Sequence, residues 1–267
     1  MKADLQNSSL YNKEYYLREL PEADRYHLSN GSELLEKHER SLRFGGIRAG
    51  EKVLDIGCGR GELTYQCALL GSRVVAVDFS ADALPLCRQT LLCLPKPLQA
   101  NVRLIRMDAR HIALRERFDL IFLIDIVEHL YDGQLREIFE TLKGLLSEKG
   151  RILIQTPNWN YENILYPSKR ILSMPATFLK QVGRVLRGKR KETSFREWLR
   201  NTFKVRYPQS IHSTLHINVK TPASLQRLLS ECGLTAEIFC YDHSRNPISL
   251  LLRRSFGREI VAVAKKR

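Results

Sequence analysis

Short apolar runs alternate with amphipathic segments between about residues 30 and 156. The runs are nearly continuous in valine, isoleucine and leucine, which is typical of strands buried on both faces of a parallel sheet. The segments between them repeat apolar residues every three or four positions, as helices do. The pattern predicts strands at 53–56, 73–78, 102–107, 118–124 and 151–156, with helices at 30–45, 61–70, 80–92 and 131–148.

The pattern resumes after residue 215. A helix is predicted over 221–233, with Thr221 as its N-cap and Gly233 as its C-cap. Strands at 234–241 and 259–266 should pair antiparallel. We therefore expect an α/β protein with a Rossmann-like, doubly wound sheet, formed by residues 30–156 and 216–267. Residues 157–215 are too long for a connecting loop and should form a helical insertion.

The 267 residues carry a formal net charge of +14, and most of the excess lies in 157–215, which hold twelve Lys or Arg against three Glu. No apolar run approaches the roughly 18 residues of a bilayer span. The first residues lack the apolar core of a secretory signal. Six cysteines without a CxxC pair are typical of reduced thiols. We therefore expect a cytoplasmic protein whose basic insertion could contact the inner face of a membrane.

The basic insertion allows three interpretations. Residues 178–191 place an apolar stripe on a basic helix, which suits an anionic membrane surface. The same helix could instead be a lid over the acceptor that packs its stripe on the main domain, and we favour this reading. Aromatic residues interleaved with the charge would also suit RNA, although no known RNA-binding module is present. The stripe is formed by Phe178, Leu179, Val182, Val185 and Leu186.

A strand runs into the glycine-rich stretch VLDIGCGRGELT (53–64), and a helix follows it. Glycines there let backbone and ligand approach closely. The dinucleotide-binding pattern GxGxxG would need its third glycine at position 62, which is Glu62. A glutamate at a helix N-terminus would also repel a pyrophosphate. The loop therefore suits a ligand without phosphates and argues against an NAD-dependent dehydrogenase, and Asp55 beside it could face an ammonium group.

Two further carboxylates end predicted strands. Asp78 follows the second strand and could accept both hydroxyls of a ribose. Asp108 follows the third strand and could accept from an exocyclic amine. Open α/β sheets bind ligands at these carboxyl ends, so we expect the acids to lie together.

The stretch VLDIGCGRGELT, together with VVAVDFS, MDA, FDLIFLIDIVEHL and RILIQTPN, resembles the class I S-adenosylmethionine-dependent methyltransferases. Within them it is similar to the branch of the ubiquinone-biosynthesis O-methyltransferases and sugar- and lipid-tailoring enzymes. The resemblance implies a seven-stranded sheet with an antiparallel last strand. It also implies an N-terminal helical cover over 1–29, with Tyr15, Tyr16 and Tyr26 as its candidate residues, although we favour a packing role for these three. The cofactor would be S-adenosylmethionine, held by Asp55, Gly57, Cys58, Gly59, Gly61, Asp78, Phe79, Asp108, Ala109 and Ile124.

Asp125, Glu128 and His129 follow the fourth strand and are the expected catalytic residues. On a helical turn they share one face. Glu128 and His129 could be structural, or His129 could be a general base. The pattern also resembles metal-assisted ubiquinone-pathway enzymes and small-RNA 2′-O-methyltransferases. In that case the three residues would bind a divalent metal with His216 or His212, but we favour a site without metal.

The function expected from these features is O-methylation of a small-molecule, glycan or lipid-linked acceptor. Asn158, after the fifth strand, either positions that acceptor or forms a turn. Two alternatives stay open: a metal-assisted RNA 2′-O-methyltransferase, and a non-catalytic binding module with the same fold.

Overall fold

The computed structural model of the chain describes residues 10–20, 22–186, 215–242 and 255–267, and their side chains except those of 177 and 181–186. The predicted insertion beyond residue 186, with His212, lies outside the described residues, as do the apolar side chains predicted at 182, 185 and 186.

Seven strands form one mixed sheet. They are β1 (Lys52–Ile56), β2 (Arg73–Asp78), β3 (Val102–Arg106), β4 (Phe118–Ile124), β5 (Leu146–Pro157), β6 (Leu234–Tyr241) and β7 (Glu259–Lys266). Their order is β3-β2-β1-β4-β5-β7-β6. The strands β1 to β5 pair in parallel, and β7 is antiparallel to both β5 and β6. This topology confirms the predicted doubly wound sheet with an antiparallel last strand.

Helices flank the sheet where the amphipathic segments predict them. The described α-helices are α1 (Ala23–Ser29), α2 (Glu36–Gly45), α3 (Glu62–Leu69), α4 (Ala83–Leu91), α5 (Lys96–Gln99), α6 (Asp132–Leu145), α7 (Tyr166–Leu186) and α8 (Pro222–Glu231). Two π-helices, Tyr15–Glu19 and Tyr161–Leu165, and a 3-10 helix, Val127–His129, are also present among the described residues. Thr221 caps α8 as expected, by accepting a hydrogen bond from the Ser224 amide. The C-cap is Cys232 rather than Gly233, which follows it at φ +72°.

Two predicted boundaries are wrong. The helix expected over 30–45 begins only at Glu36, and a separate short helix, α1, precedes it. The helix expected to reach residue 148 ends at Leu145, because β5 begins at Leu146, which pairs with Phe118 of β4. Leu146 is 1% exposed. A buried leucine fits the end of an amphipathic helix and the start of a buried strand equally well, so the apolar pattern could not locate this boundary.

The continuous apolar runs are explained by burial of both sheet faces. Val53 and Leu54 are adjacent in β1, yet they belong to different apolar clusters, because successive strand side chains point to opposite faces. One cluster contains Leu135 and Phe139 of α6, and the other contains Leu63 of α3. Helices therefore cover both faces of the sheet. The carboxyl ends of its strands are not covered by these two clusters and can form a site.

Within the described residues, no helix has both the length and the apolar content needed to cross a lipid bilayer.

Candidate active site

A cavity of about 270 Å³ lies at the carboxyl ends of β1, β2 and β4, beneath residues of the N-terminal segment. Asp125 and His129 line it, whereas Gly61 and Glu128 are not among its lining residues. The sheet topology thus brings most of the predicted residues to one place. The predicted cofactor residues that line the cavity are Asp55, Gly57, Cys58, Gly59, Asp78, Phe79, Asp108, Ala109 and Ile124.

The glycines of the loop after β1 are required by the backbone conformation and by close packing, as well as by the approach of a ligand. Gly57 and Gly61 have φ values of +73° and +89°, a region that glycine enters at little cost. A Cβ at Gly57 would lie 2.4 Å from Cδ1 of Ile126, and one at Gly61 would lie 2.6 Å from Sγ of Cys87. Gly61 therefore lets the start of α3 pack on α4, rather than forming part of the cavity wall.

Asp78, which is predicted to hold a ribose, is fixed by two backbone amides. Gly59 donates its N–H to Oδ2 at 2.9 Å, and Ser80 donates its N–H to Oδ1 at 2.8 Å. Burial raises the pKa of the carboxyl, although these hydrogen bonds oppose the rise. Because each carboxylate oxygen can accept a second hydrogen bond, Asp78 keeps acceptor capacity for hydroxyl groups in the cavity.

Asp55 is a buried acid in the cavity wall, with 2% of its surface exposed. The hydroxyl of Thr64 donates to its Oδ2 at 2.6 Å. Burial raises the pKa of Asp55 to about 6; the Thr64 hydrogen bond opposes this rise, and the nearby charges of Asp78 and Glu62 add to it. A buried carboxylate surrounded by other acids is costly, and an ammonium group in the cavity would relieve that cost.

Asp108 accepts hydrogen bonds from the guanidinium of Arg110, at 2.7 Å from Nη2 to Oδ2 and 3.1 Å from Nε to Oδ1. Burial would raise the pKa of Asp108, but these hydrogen bonds outweigh it and hold the pKa below its usual value. An exocyclic amine at Asp108 would therefore have to share the carboxylate with Arg110.

The charge of Glu62 is balanced by Arg60, so the repulsion of a pyrophosphate expected from this glutamate is wrong. Nη2 of Arg60 lies 2.7 Å from Oε1 of Glu62, and both side chains are nearly inaccessible to solvent. The pair removes the net repulsion expected at the start of α3. The missing third glycine of the dinucleotide pattern, at position 62, still separates this loop from that class.

Two cavity-lining residues of α2 were not predicted. Lys37 forms an ion pair with Asp125, and His38 lies beside it. Burial and the neighbouring Lys37 lower the pKa of His38 to about 3, so this imidazole is neutral at physiological pH. His38 is four residues from both Leu34 and Leu42, which puts it on the apolar face of its helix, and this spacing was the available signal for its burial.

Asp125 has an unusual backbone conformation, with φ at +53°. Burial would raise its pKa, but the Lys37 ammonium outweighs burial and holds the pKa below its usual value. The conformation turns the chain sharply after β4. Non-glycine residues in this region carry strain and often lie at functional sites.

Glu128, His129 and His216 form a compact group whose ligand atoms lie within 4.8 Å of one another. Oε1 of the fully buried Glu128 lies 4.0 Å from Nε2 of both histidines. Thr156 donates to the other oxygen, Oε2, at 2.9 Å. No hydrogen-bond donor of the described chain reaches Oε1. Burial, and then the charge of Asp125, raise the pKa of Glu128 well above its usual range.

The structure therefore brings together three of the four residues in the metal hypothesis, and Asp125 stands outside the group. The chain that returns through 215–220 holds His216 in place. Ile217 and Asn218 both donate their backbone N–H to the carbonyl of Glu128, at 2.9 and 3.0 Å.

The N-terminal tyrosines meet the cavity in part as expected. Tyr15 and Tyr16 line it, and so does Tyr11, whereas Tyr26 is buried outside the lining. Asn158 is fully buried and donates to the carbonyl of Gly257 at 2.7 Å. It is not a lining residue, so its role as a turn residue is favoured over acceptor positioning.

A family model described as "Methyltransferase domain" matches residues 47–202. The chain is 28% identical over 141 residues to a ubiquinone biosynthesis O-methyltransferase of Bradyrhizobium diazoefficiens, a match that covers 48% of each chain. It is 36% identical over 115 residues to the protein of that name in Glaesserella parasuis, covering 41% of this chain and 46% of the relative. The matched region thus spans about half the length of these curated relatives.

The fold is also similar to that of solved structures. The glycopeptide N-methyltransferase MtfA, complexed with S-adenosylmethionine, superposes with a TM-score of 0.56 at 16% sequence identity. That match covers 93% of this chain and 98% of MtfA.

Proposed function

The chain belongs to the family of methyltransferase domains, and on that basis we propose that it transfers the methyl group of S-adenosylmethionine to a hydroxyl oxygen of a small-molecule, glycan or lipid-linked acceptor. The observation that carries the proposal is the group of Glu128, His129 and His216, of which His129 lines the cavity. A hydroxyl loses its proton when it is methylated, and an imidazole here can accept that proton. An amine acceptor has less need of such a group.

The residues of the cavity fit S-adenosylmethionine. When bound, this cofactor supplies a methyl group on a positively charged sulfur. Asp55 suits its ammonium group and Asp78 suits its ribose hydroxyls, and three glycines shape the loop between them. Tyr15 and Tyr16 cover the cavity and would exclude water from it.

In this proposal His129 accepts the acceptor's proton, and the charged imidazole that results lies 4.0 Å from Oε1 of Glu128. Thr156 holds Glu128 in place through its hydrogen bond to Oε2. General base catalysis of this kind contributes roughly 10²- to 10⁴-fold to the rate.

The same group could hold a divalent cation, because Glu128 Oε1 is buried and unsatisfied. The cation would polarise the acceptor oxygen as a Lewis acid. We favour the metal-free form because Asp125, the fourth residue of the metal hypothesis, is paired with Lys37.

The test is transfer of a labelled methyl group from S-adenosylmethionine to panels of hydroxylated aromatics, glycans, lipid extracts and short RNAs. The variant His129→Gln should lower the rate by at least about 10²-fold while cofactor affinity is unchanged. The exposed His111 provides the matched control, His111→Gln, which should retain full activity.

Label on nitrogen, or full activity of His129→Gln, would contradict the proposal. Label in RNA alone would replace the proposed acceptor class with RNA. Activity lost on chelation and restored by Mg²⁺ would replace the base with a metal.

An anionic membrane is the partner that we propose for α7. Its apolar residues share one face yet remain exposed, with Leu172 at 81% and Leu179 at 70%. Of the predicted stripe only Phe178 and Leu179 have described side chains, so its packing on the main domain stays a prediction. Lys180 lies on the same helix, next to Leu179, and a cation near an anionic surface contributes about 1 kcal/mol. The exposed apolar residues of the face are Ile171, Leu172, Phe178 and Leu179.

Flotation with phosphatidylglycerol vesicles tests this contact. The protein should float with these vesicles but not with phosphatidylcholine vesicles, and Leu172→Glu should abolish flotation. Leu28, 88% exposed on α1, gives the matched control Leu28→Glu, which should still float. Equal flotation of both variants would contradict the proposal.

A further inference from the structure

Arg60 is a buried cation in the loop after β1. It lines the cavity, although only 2% of its surface is exposed. Its Nε and Nη2 lie 2.9 and 2.7 Å from Oε1 of Glu62. Its backbone carbonyl accepts a hydrogen bond of 2.7 Å from the Thr90 hydroxyl of α4. The main domain therefore holds both the backbone and the side chain of Arg60 in place.

The third nitrogen of this guanidinium reaches the N-terminal segment, residues 10–20. Nη1 donates a buried hydrogen bond of 3.1 Å to the backbone carbonyl of Tyr16. The guanidinium also lies over the ring of Tyr26 in α1, 4.6 Å from the ring centroid. A cation and an aromatic face attract each other at this distance. Because Tyr16 lines the cavity, Arg60 holds a residue of the cavity wall.

Other hydrogen bonds attach the same segment to the loop after β2. Oγ of Ser80 donates to the carbonyl of Tyr11 at 2.8 Å, and the Lys13 amide donates to Oδ2 of Asp82 at 3.0 Å. The first bond joins two neutral groups, and the second lies at exposed positions. The bond from Arg60 has a charged donor and is buried, so we expect it to be stronger than either.

Apolar packing also holds the segment but does not fix its position. Tyr15 and Tyr16 belong to a cluster with Ala83, Leu86 and Leu215. Such burial is favourable but non-directional. The hydrogen bond from Arg60, in contrast, requires the Tyr16 carbonyl at one place relative to the cofactor loop.

We propose that Arg60 is a positioning residue that fastens the N-terminal segment over the cavity and thereby slows the entry and exit of the cofactor. Tyr15 and Tyr16 cover the cavity and are only 8% and 4% exposed, so a ligand passes when the segment moves away. The planar guanidinium suits this role, because its fork bonds Glu62 and the Tyr16 carbonyl at once. The inference rests on the proposed function, since it takes the cofactor as the ligand of the cavity.

Hydrogen exchange of the ligand-free full chain tests the fastening. Arg60→Met removes the guanidinium, so the amides of residues 15–20 should exchange at least about tenfold faster than in the wild type, as expected for the loss of one charged hydrogen bond. The variant Arg60→Met/Glu62→Gln leaves no unpaired carboxylate behind. It should show the same acceleration, and it serves if the single variant does not fold.

The matched control is Arg40→Met. Arg40 is 3% exposed, forms an ion pair with Glu259 and lies 3.6 Å from the ring centroid of Tyr241, but it does not line the cavity. This variant loses a buried arginine elsewhere and should leave the exchange of residues 15–20 unchanged. Wild-type exchange in the Arg60 variants, or equal acceleration in Arg40→Met, would overturn the inference.

The kinetics of S-adenosylhomocysteine binding distinguish a cover from a direct contact. If the ligand passes through the open state, the association and dissociation rate constants should both rise in Arg60→Met/Glu62→Gln, by about the factor seen in hydrogen exchange. Both should stay at their wild-type values in Arg40→Met. Faster dissociation without faster association would identify a lost direct contact and would overturn the inference.

The same samples separate this inference from the proposed function. Failure of the wild type to bind S-adenosylhomocysteine would contradict the proposed function. Hydrogen exchange in the ligand-free chain would still decide whether Arg60 holds the N-terminal segment.

Discussion

Replacing Asp55 by asparagine should stabilise the ligand-free protein while weakening its hold on the cofactor. The pKa of Asp55 is about 6, against an ordinary value of 3.8. Because the folded-state pKa is raised, the stabilising contribution of this group is fully present below about pH 4 and is lost as the pH rises through about 6. The difference corresponds to about 3 kcal/mol. At pH 8 an ionised Asp55 lowers the free energy of unfolding by this amount, and Asp55→Asn removes that loss.

Urea unfolding of the ligand-free protein at pH 8 and pH 4 measures this effect. The gain in Asp55→Asn should be at most about 3 kcal/mol at pH 8 and should vanish near pH 4. The cofactor's ammonium group loses its charged partner in the variant, so affinity measured by calorimetry should fall by at least about tenfold.

Asp119 provides a control of opposite sign. Burial would raise its pKa, but hydrogen bonds from the Lys52 amide and the Ser147 hydroxyl hold the pKa below its usual value. Asp119→Asn should therefore destabilise the protein at pH 8. The reasoning would be refuted if Asp55→Asn were less stable than wild type at pH 8, or if the gain did not depend on pH.

Two further predictions concern packing and charge. Gly61→Ala should destabilise the fold by about 1–3 kcal/mol more than Gly46→Ala in urea unfolding, because both have positive φ but only Gly61 faces Cys87. Equal losses would contradict the packing role. Lys37→Met should raise the pKa of Asp125, since the variant loses the largest interaction that opposes burial, and a ¹³C carboxyl titration measures it. The ion pair stabilises the wild type only above about pH 4, so Lys37→Met should be less stable than the wild type above that pH. An unchanged pKa of Asp125 would contradict the pairing with Lys37.

The strands were predictable because their signal is local. Both faces of the sheet are covered, so each strand is a continuous apolar run whatever its partners are. The start of β5 was not predictable from its own residues. Leu146 satisfies both the helical pattern before it and the strand pattern after it, and its pairing with Phe118 of β4 decides between them.

The cofactor side of the site was predictable because its residues lie at strand ends, where the topology gathers them. The charge partners were not. Lys37 is 88 residues from Asp125 in the chain. Arg110 donates hydrogen bonds to Asp108 across a local turn that the motif does not specify. Tyr11 was missed for a similar reason, since its contact with His129 spans 118 residues. Such pairings are set by packing, which periodicity does not encode.

Calorimetric titration of the full chain with S-adenosylmethionine tests most directly whether the cavity is a cofactor site. The wild type should bind, and Asp78→Asn should bind at least about tenfold more weakly while remaining folded. Absence of binding by the wild type, or equal affinity of the two proteins, would contradict the account.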